Sequence, residues 1–234
     1  MQSTLTYDDF ENKSALEIVE WSARSFGTGA ALASSFGVED MVLTDMICKT
    51  SPRITIFTLD TGRLPEETYK LMDETKKKYD LTIEVYFPDT GKVEQMVREK
   101  GLNLFYDSVE DRKLCCGVRK VEPLNRALKG KRAWLTGLRR DQTFTRANVA
   151  KVAEDTEHGM LKLSPIADWT SGQVWDYVRK NNVPFNELHN RGFPSIGCEP
   201  CTRAIKTGED PRSGRWWWEQ GAKECGLHHS DSKI

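Results

Sequence analysis

Three short runs constrain what this chain can fold into. Ala30–Ser35, Ile54–Phe57 and Arg132–Thr136 each have the length and small, apolar or β-branched character of a buried strand, and each ends in a polar turn. Helix-start signals lie between and around them. Ser14-Ala-Leu-Glu17 is a capping box and predicts a helix to about Phe26. Val38 to Lys49 reads as the next helix. Pro65, followed by Glu66 and Glu67, is a favourable first turn for a helix to about Tyr79. Leu81 to Phe87 alternates as a strand and Lys92 to Lys100 is helical. Thr170-Ser-Gly-Gln173 is a second capping box that opens a helix to about Asn181. Strand–helix repetition at this spacing predicts an α/β fold, with a mostly parallel sheet and helices on both faces. From Asn190 the texture changes: six glycines, three prolines and the run Trp216-Trp217-Trp218 predict a loop-rich C-terminal segment. The expected organisation is an α/β domain over residues 1–190 and a C-terminal segment over 191–234.

At 234 residues with 38% hydrophobic content, the chain can bury one substantial core. It has no apolar run long enough to span a membrane. The first residues, MQSTLTYDDFENK, have neither the basic and apolar regions of a secretory signal nor the composition of a transit peptide. A cytoplasmic, reducing setting is therefore expected, in which paired cysteines read as metal-binding or redox groups. The net charge of −1 conceals an asymmetry, because Arg112 to Arg146 holds eleven Lys/Arg against two Asp/Glu. Such a run is either a solvated helix face or an anion site. No RNA-binding signature or interleaved aromatic pattern accompanies it, so nucleic acid is not the expected partner.

The strand ends carry the binding chemistry. Ala33-Ser-Ser-Phe-Gly-Val-Glu-Asp40 follows a strand and opens a helix, where backbone N–H groups and the hydroxyls of Ser34 and Ser35, with Gly37 at the turn, suit a phosphate. Many strand–helix turns look alike, so this signal is weak alone. In Leu59-Asp-Thr-Gly-Arg63, Asp60 suits a sugar or base polar group, or simply caps a turn. In Thr136-Gly-Leu-Arg-Arg-Asp-Gln142 and just beyond, Arg139, Arg140 and Arg146 suit planar recognition of phosphate or sulfate oxygens. Together these ends describe a nucleotide-sized site with an anionic tail.

Six cysteines separate into roles. Cys48 ends an apolar helical run and reads as packing. Cys115 and Cys116 are adjacent, too close for an ordinary disulfide. Cys198 and Cys201 form a CxxC in a glycine-rich loop, without the strand–CxxC–helix setting of a thioredoxin-like redox pair. Pooled, the four serve either tetrahedral zinc or an iron–sulfur cluster. Structural zinc usually takes spaced pairs, whereas a vicinal pair suits the wider corners of a [4Fe–4S] cubane, which the spacing favours. Cys225 stands alone in a polar tail, as an inert thiol or as a nucleophile if positive charge lowers its pKa. His228 and His229 read as solvated tail residues or as aids to catalysis, and the three tryptophans as packing.

SSFGVED, LDTGRLPEETY, the CC pair, GLRRDQTFTR, GCEPCTR and KECGLH stand in one order across about residues 30 to 230. In this the chain closely resembles the assimilatory adenylylsulfate/phosphoadenylylsulfate reductases, specifically their cluster-containing branch. The resemblance implies an adenine nucleotide alpha-hydrolase-like sheet and one [4Fe–4S] cluster per subunit on Cys115, Cys116, Cys198 and Cys201. It implies Cys225 as the nucleophile, Lys120 close to cluster and substrate, and Arg212 and Arg215 on the phosphosulfate. Ser34, Ser35 and Gly37 match its phosphate loop, and Arg139, Arg140 and Arg146 its arginine-bearing loop. The implied activity is thioredoxin-dependent reduction of adenylylsulfate to sulfite and AMP through an S-sulfocysteine, with phosphoadenylylsulfate as an alternative substrate. Two other readings stand beside it. One is an ATP-using pyrophosphatase-loop enzyme of the tRNA-thiolating type, though such enzymes typically carry SGGxDS where this chain has Ser34-Ser-Phe-Gly-Val-Glu-Asp40. The other is a metal-bearing regulatory module that binds an anionic partner or nucleic acid. No subunit interface is visible, and a homo-oligomer is compatible with the sequence.

Overall fold

The computed structural model describes residues 7–50 and 53–220. The Ser14 capping box forms as the sequence predicts. The Ser14 hydroxyl accepts from the Glu17 N–H at 3.3 Å, and the Glu17 carboxylate accepts from the Ser14 N–H at 2.8 Å. Helix α1 (Ala15–Phe26) starts there and buries Ala15, Ile18, Val19, Ser22 and Ala23. Strands β1 (Ala30–Ala33), β2 (Thr55–Leu59), β3 (Ile83–Tyr86), β4 (Ala133–Leu135), β5 (Val152–Asp155) and β6 (Met160–Leu163) form one sheet in the order β3-β2-β1-β4-β6-β5. β1 runs parallel to β2 and β4, pairing Leu32 with Ile56 on one side and with Leu135 on the other. β6 runs parallel to β4. Ala30, Ala31 and Leu32 are fully buried, as a central strand covered on both faces requires.

The sheet is mostly parallel, with one departure: β5 and β6 form an antiparallel hairpin at the edge. The chain moves outward from β1 to β2 and β3, then returns to place β4 on the other side of β1. This reversal makes the carboxyl ends of β1 and β4 the topological switch point, where open α/β sheets bind ligands. Helices α2 (Val38–Thr50), α3 (Glu66–Tyr79), α4 (Thr90–Lys100) and α7 (Ser171–Asn181) fall where the sequence places helices. Asp89 caps α4, and Thr170 opens α7 with a second capping box. No helix among the described residues is long and apolar enough to cross a membrane.

Part of the basic run that the sequence reads as either a solvated helix face or an anion site lies in a helical stretch from residue 109 to residue 128 and is partly buried. It comprises α5 (Val109–Cys116), a π-helical turn (Gly117–Val121) and α6 (Glu122–Leu128). Ser108 caps it by accepting from the Asp111 N–H at 3.0 Å. Pro123 accounts for the π turn: a proline has no N–H, and its ring clashes with the carbonyl four residues back, here Arg119. The helix widens just before it, so that the Glu122 N–H bonds the Gly117 carbonyl, five residues back.

The chain forms two compact units. The first comprises Met1–Phe57, Leu71–Glu84 and Gly130–Asn186 and holds the core around Ile18, Leu32, Met41, Leu43 and Leu135. The second comprises Thr58–Lys70, Val85–Lys129 and Glu187–Ile234. Its own cluster contains Met96, Leu104, Phe105, Trp216 and four cysteines. The expected boundary at residue 190 lies close to where the chain re-enters the second unit, but that unit also draws in two earlier stretches.

Candidate functional site

In the first unit, the loop after β1 turns through Phe36, whose φ of +58° is unusual for a bulky residue and whose side chain is buried. The Ser34 hydroxyl accepts from the Phe36 N–H at 3.2 Å, and the Ser35 hydroxyl accepts from the Gly37 N–H at 3.4 Å. Asp40 ties this loop to the one after β4. One carboxylate oxygen accepts from the Ser35 N–H and the Ser35 hydroxyl, both at 2.7 Å, and the other accepts from the Gly137 N–H at 3.1 Å. Gly137 is required there, because a Cβ would lie 2.7 Å from the Glu39 Cβ and 3.1 Å from the Asp40 nitrogen. Burial pushes the Asp40 carboxyl up to about 6, with Glu39 adding to the rise and the bonds from Ser35 and Gly137 opposing it.

The arginines after β4 bond to groups of the protein itself. Arg139 is buried and donates Nε and Nη2 to Glu39 Oε1 at 3.1 and 2.9 Å, and Nη1 to the Trp169 carbonyl at 3.2 Å and to Asp141. Arg140 donates to the Val149 carbonyl at 2.8 Å and to Glu11 at 2.5 Å. Arg146 donates to Gln142 Oε1 at 2.6 Å, and Gln142 in turn donates to Glu39 at 3.0 Å. Here Arg139 and Arg140 shape the loop, because their guanidinium donors face protein acceptors.

In the second unit, Cys115, Cys116, Cys198 and Cys201 share one packed cluster, each only 7–8% exposed. The first pair ends α5. The second flanks a short 3-10 turn closed by the Cys201 N–H on the Cys198 carbonyl at 3.0 Å, and the Trp216 N–H donates to the Cys201 carbonyl at 3.1 Å. Thr61 Oγ1 lies 3.2 Å from Cys198 Sγ, and Arg119 Nη1 donates to the Thr61 carbonyl at 2.7 Å. Lys120 is buried beside the thiols. Burial alone would raise the Cys198 thiol, but Lys120, the Thr61 hydroxyl, Arg215 and Arg119 hold it below its ordinary value. Burial and then Cys116 push Cys115 up, and burial and then Cys198 push Cys201 up to about 12.

Asp60 also belongs to the second unit. Its carboxylate accepts from the Gly62 N–H at 2.8 Å and the Tyr69 hydroxyl at 2.9 Å. The Arg212 N–H donates to Asp210 at 2.8 Å. Arg215 is buried, donates to the Ile196 carbonyl at 3.1 Å, stacks 4.8 Å from the Trp216 ring centre and lies flat against Gly197. Cys225, His228 and His229 lie outside the described residues. Arg119, Thr61 and Asp40 were not singled out by sequence. Asp40 stands in the quoted loop motif and Arg119 beside Lys120, but their partners are remote in sequence.

The cysteine cluster fits an inorganic group. Among the described residues, Arg119 Nε, Arg215 Nε, Trp216 Nε1 and Trp218 Nε1 are buried N–H donors without an acceptor, and Trp218 packs against the cluster that contains Trp216. Unsatisfied buried donors are costly, so an electron-rich acceptor beside the soft thiols explains them. Among the described residues no three His, Cys, Asp or Glu side chains converge on a single metal ion.

A parallel sheet whose post-β1 and post-β4 loops are joined at the switch point defines an open α/β class. Solved structures share the fold. The FMN adenylyltransferase of Candida glabrata superposes with a TM-score of 0.54 at 14% identity, covering 90% of this chain and 73% of that one. The phosphoadenylyl-sulfate reductase of Candida auris, in a phosphate complex, gives a TM-score of 0.71 at 28% identity over 86% of this chain and 98% of its own. The model of the phosphoadenosine phosphosulfate reductase domain matches residues 29–204, and the chain belongs to that family. Among its relatives, the adenosine 5′-phosphosulfate reductase of Allochromatium vinosum is 47% identical, covering 98% of this chain and 91% of the relative. That of Burkholderia cepacia is 53% identical over 84% of this chain and 79% of the relative.

Proposed function

We propose that this protein reduces adenylylsulfate to sulfite and AMP in sulfate assimilation, in a cytoplasmic setting, with thioredoxin or a similar dithiol as reductant. The observation that carries the reading is the buried quartet of cysteines ringed by Lys120, Arg119 and Arg215, in a chain of this family. Relatives named for the adenosine 5′-phosphosulfate reaction support the choice of nucleotide. Cys115, Cys116, Cys198 and Cys201 would hold a [4Fe–4S] cluster, one per subunit. When bound, it would supply a compact electron-rich group beside these donors.

The loop of Ser34, Ser35 and Gly37, at the start of α2, is assigned to the nucleotide phosphate. Asp40 and Arg139 hold that loop in shape, and Asp60 suits a polar group of the nucleoside. Lys120, Arg212 and Arg215 are assigned to the sulfuryl oxygens. A thiolate approaching an anionic sulfate is repelled, so fixed positive charge lowers the barrier. The Cys225 thiolate attacks the sulfur of adenylylsulfate. The S–O bond to the phosphate breaks and its electron pair leaves with AMP, giving S-sulfocysteine. One thiol of a dithiol then attacks Cys225 Sγ and sulfite departs with the electron pair of the S–S bond; the second thiol breaks the mixed disulfide so formed, freeing the Cys225 thiolate and leaving the dithiol as a disulfide. The test is anaerobic purification with iron and sulfide analysis, then sulfite assay with adenylylsulfate and with phosphoadenylylsulfate. Without reductant the protein should gain one SO3 on Cys225, and Cys225→Ser should keep its iron and make no sulfite. An adduct on another cysteine overturns the reading.

A further inference from the structure

The tyrosine bonded to Asp60 has no part in the chemistry above. Asp60 is buried and follows the last residue of β2. Both of its side-chain bonds fall on one oxygen: Oδ1 accepts from the Gly62 N–H at 2.8 Å and from the Tyr69 hydroxyl at 2.9 Å. Among the described residues, Oδ2 has no donor. Tyr69 stands in the first turn of α3. Burial, with the bond to Asp60 and its charge, pushes the phenol up to about 12, so at neutral pH it remains a donor. The backbone of the turn is fixed from elsewhere in the second unit. The Thr61 carbonyl accepts from Arg119 Nη1 at 2.7 Å, and the Arg63 carbonyl accepts from the Glu199 N–H at 2.9 Å. Among the described residues, Tyr69 is the contact from outside this turn that fixes the carboxylate itself.

A carboxylate with one oxygen engaged by two donors offers the other in a fixed direction. That second oxygen only accepts, so a ligand that covers it must bring a donor or leave it costly and unpaired. Adenylylsulfate has donors in three places: the 6-amino group of adenine and the 2′ and 3′ hydroxyls of ribose. Its phosphate and sulfate oxygens are acceptors, and the carboxylate repels them. We propose that Tyr69 is a positioning residue that turns Asp60 so that Oδ2 accepts from one of these nucleoside donors. The inference rests on the proposed place of the nucleoside at Asp60. An acidic side chain serves a ribose hydroxyl in this way in dinucleotide-binding sheets. Without the Tyr69 bond, the carboxylate is free to rotate, and Oδ2 loses its direction while the charge stays. Binding of the nucleoside then weakens, and the reaction of bound substrate does not.

The test measures AMP binding to the holoenzyme by calorimetry, with inosine monophosphate, 2′-deoxy-AMP and 3′-deoxy-AMP as probes that each remove one donor. One of the three should bind the wild type about tenfold or more weakly than AMP. Tyr69→Phe should bind AMP itself about fivefold or more weakly. It should also shrink the penalty of that one analogue to about threefold or less, because the two changes remove the same interaction. Its KM for adenylylsulfate should rise, with kcat and iron content unchanged. A tyrosine that only holds the fold would lower Tm and leave the analogue's penalty at its wild-type size, and that result overturns the inference. So does wild-type AMP affinity in Tyr69→Phe. A wild type that binds all three analogues as tightly as AMP removes the nucleoside from Asp60 and defeats that part of the proposed function instead.

Discussion

Replacing Asp40 with asparagine separates two opposed effects in the first unit. The two N–H groups and one hydroxyl aimed at the carboxylate favour its charge, while burial opposes it, and burial prevails with a carboxyl at about 6. An aspartate in the unfolded chain titrates near 3.9. The folded protein therefore holds this proton more tightly than the unfolded chain. The resulting stability is fully present below about pH 4 and is lost as pH rises through 6. Two pKa units at about 1.4 kcal/mol each make the loss roughly 3 kcal/mol. For a chain of this size each kcal/mol moves Tm by roughly 2–4 °C. Asparagine offers one acceptor oxygen to three donors, so Asp40→Asn carries a pH-independent offset that the comparison removes. The expected outcome is that the Tm of the wild type minus that of Asp40→Asn falls by roughly 6–12 °C between pH 4 and pH 7. The carboxyl carbon of Asp40, followed by NMR, should titrate near 6. A Tm difference that is flat or rises with pH, or a midpoint below 4, would show that the donors outweigh burial and refute the reasoning.

Gly137→Ala should cost about 1–3 kcal/mol and weaken AMP binding measured by calorimetry, because its Cβ meets the first turn of α2, whose backbone cannot yield. Gly197→Ala should act on Arg215 instead. Its Cβ would lie 2.5 Å from Cζ of a guanidinium that can swing aside, so Tm should hold within about 2 °C while sulfite formation falls about tenfold. Unchanged turnover would remove Arg215 from the sulfuryl site. Ser14→Ala should cost about 1 kcal/mol in chemical denaturation through loss of the α1 cap.

Signals that are local in sequence were legible. The Ser14 and Thr170 capping boxes declare themselves within four residues, and the strands at Ala30, Thr55 and Ala133 show as short apolar runs. The β5–β6 hairpin was hidden because each strand has only four residues and Glu154, Asp155 and Lys162 interrupt the apolar ones. The basic run showed only as a solvated helix face or an anion site; its bounds and its buried side chains were not legible, because no apolar stripe or end signal for it was read. The four paired cysteines could be grouped because few chemistries use such a set, and the structure packs them together. The internal partners of Arg139 and Arg140 were illegible, since Glu39 and Glu11 lie 100 and 129 residues away.

The π turn before Pro123 gives this stretch a phase that a regular helix would not have. Its wider ring holds one more residue than an α-helical turn, so Arg119, Lys120 and all of α6 are rotated by about a third of a turn relative to Cys115 and Cys116. Deleting Val118 would return the stretch to ordinary helical pitch and swing Lys120 away from the thiols. The shortened chain would also set the Pro123 ring against the carbonyl four residues back and turn Leu124, Ala127 and Leu128 out of their packing, so it should lose heat resistance together with turnover. The length of this one loop of backbone is thus a setting on which the packing of α6 and the placement of Lys120 both depend.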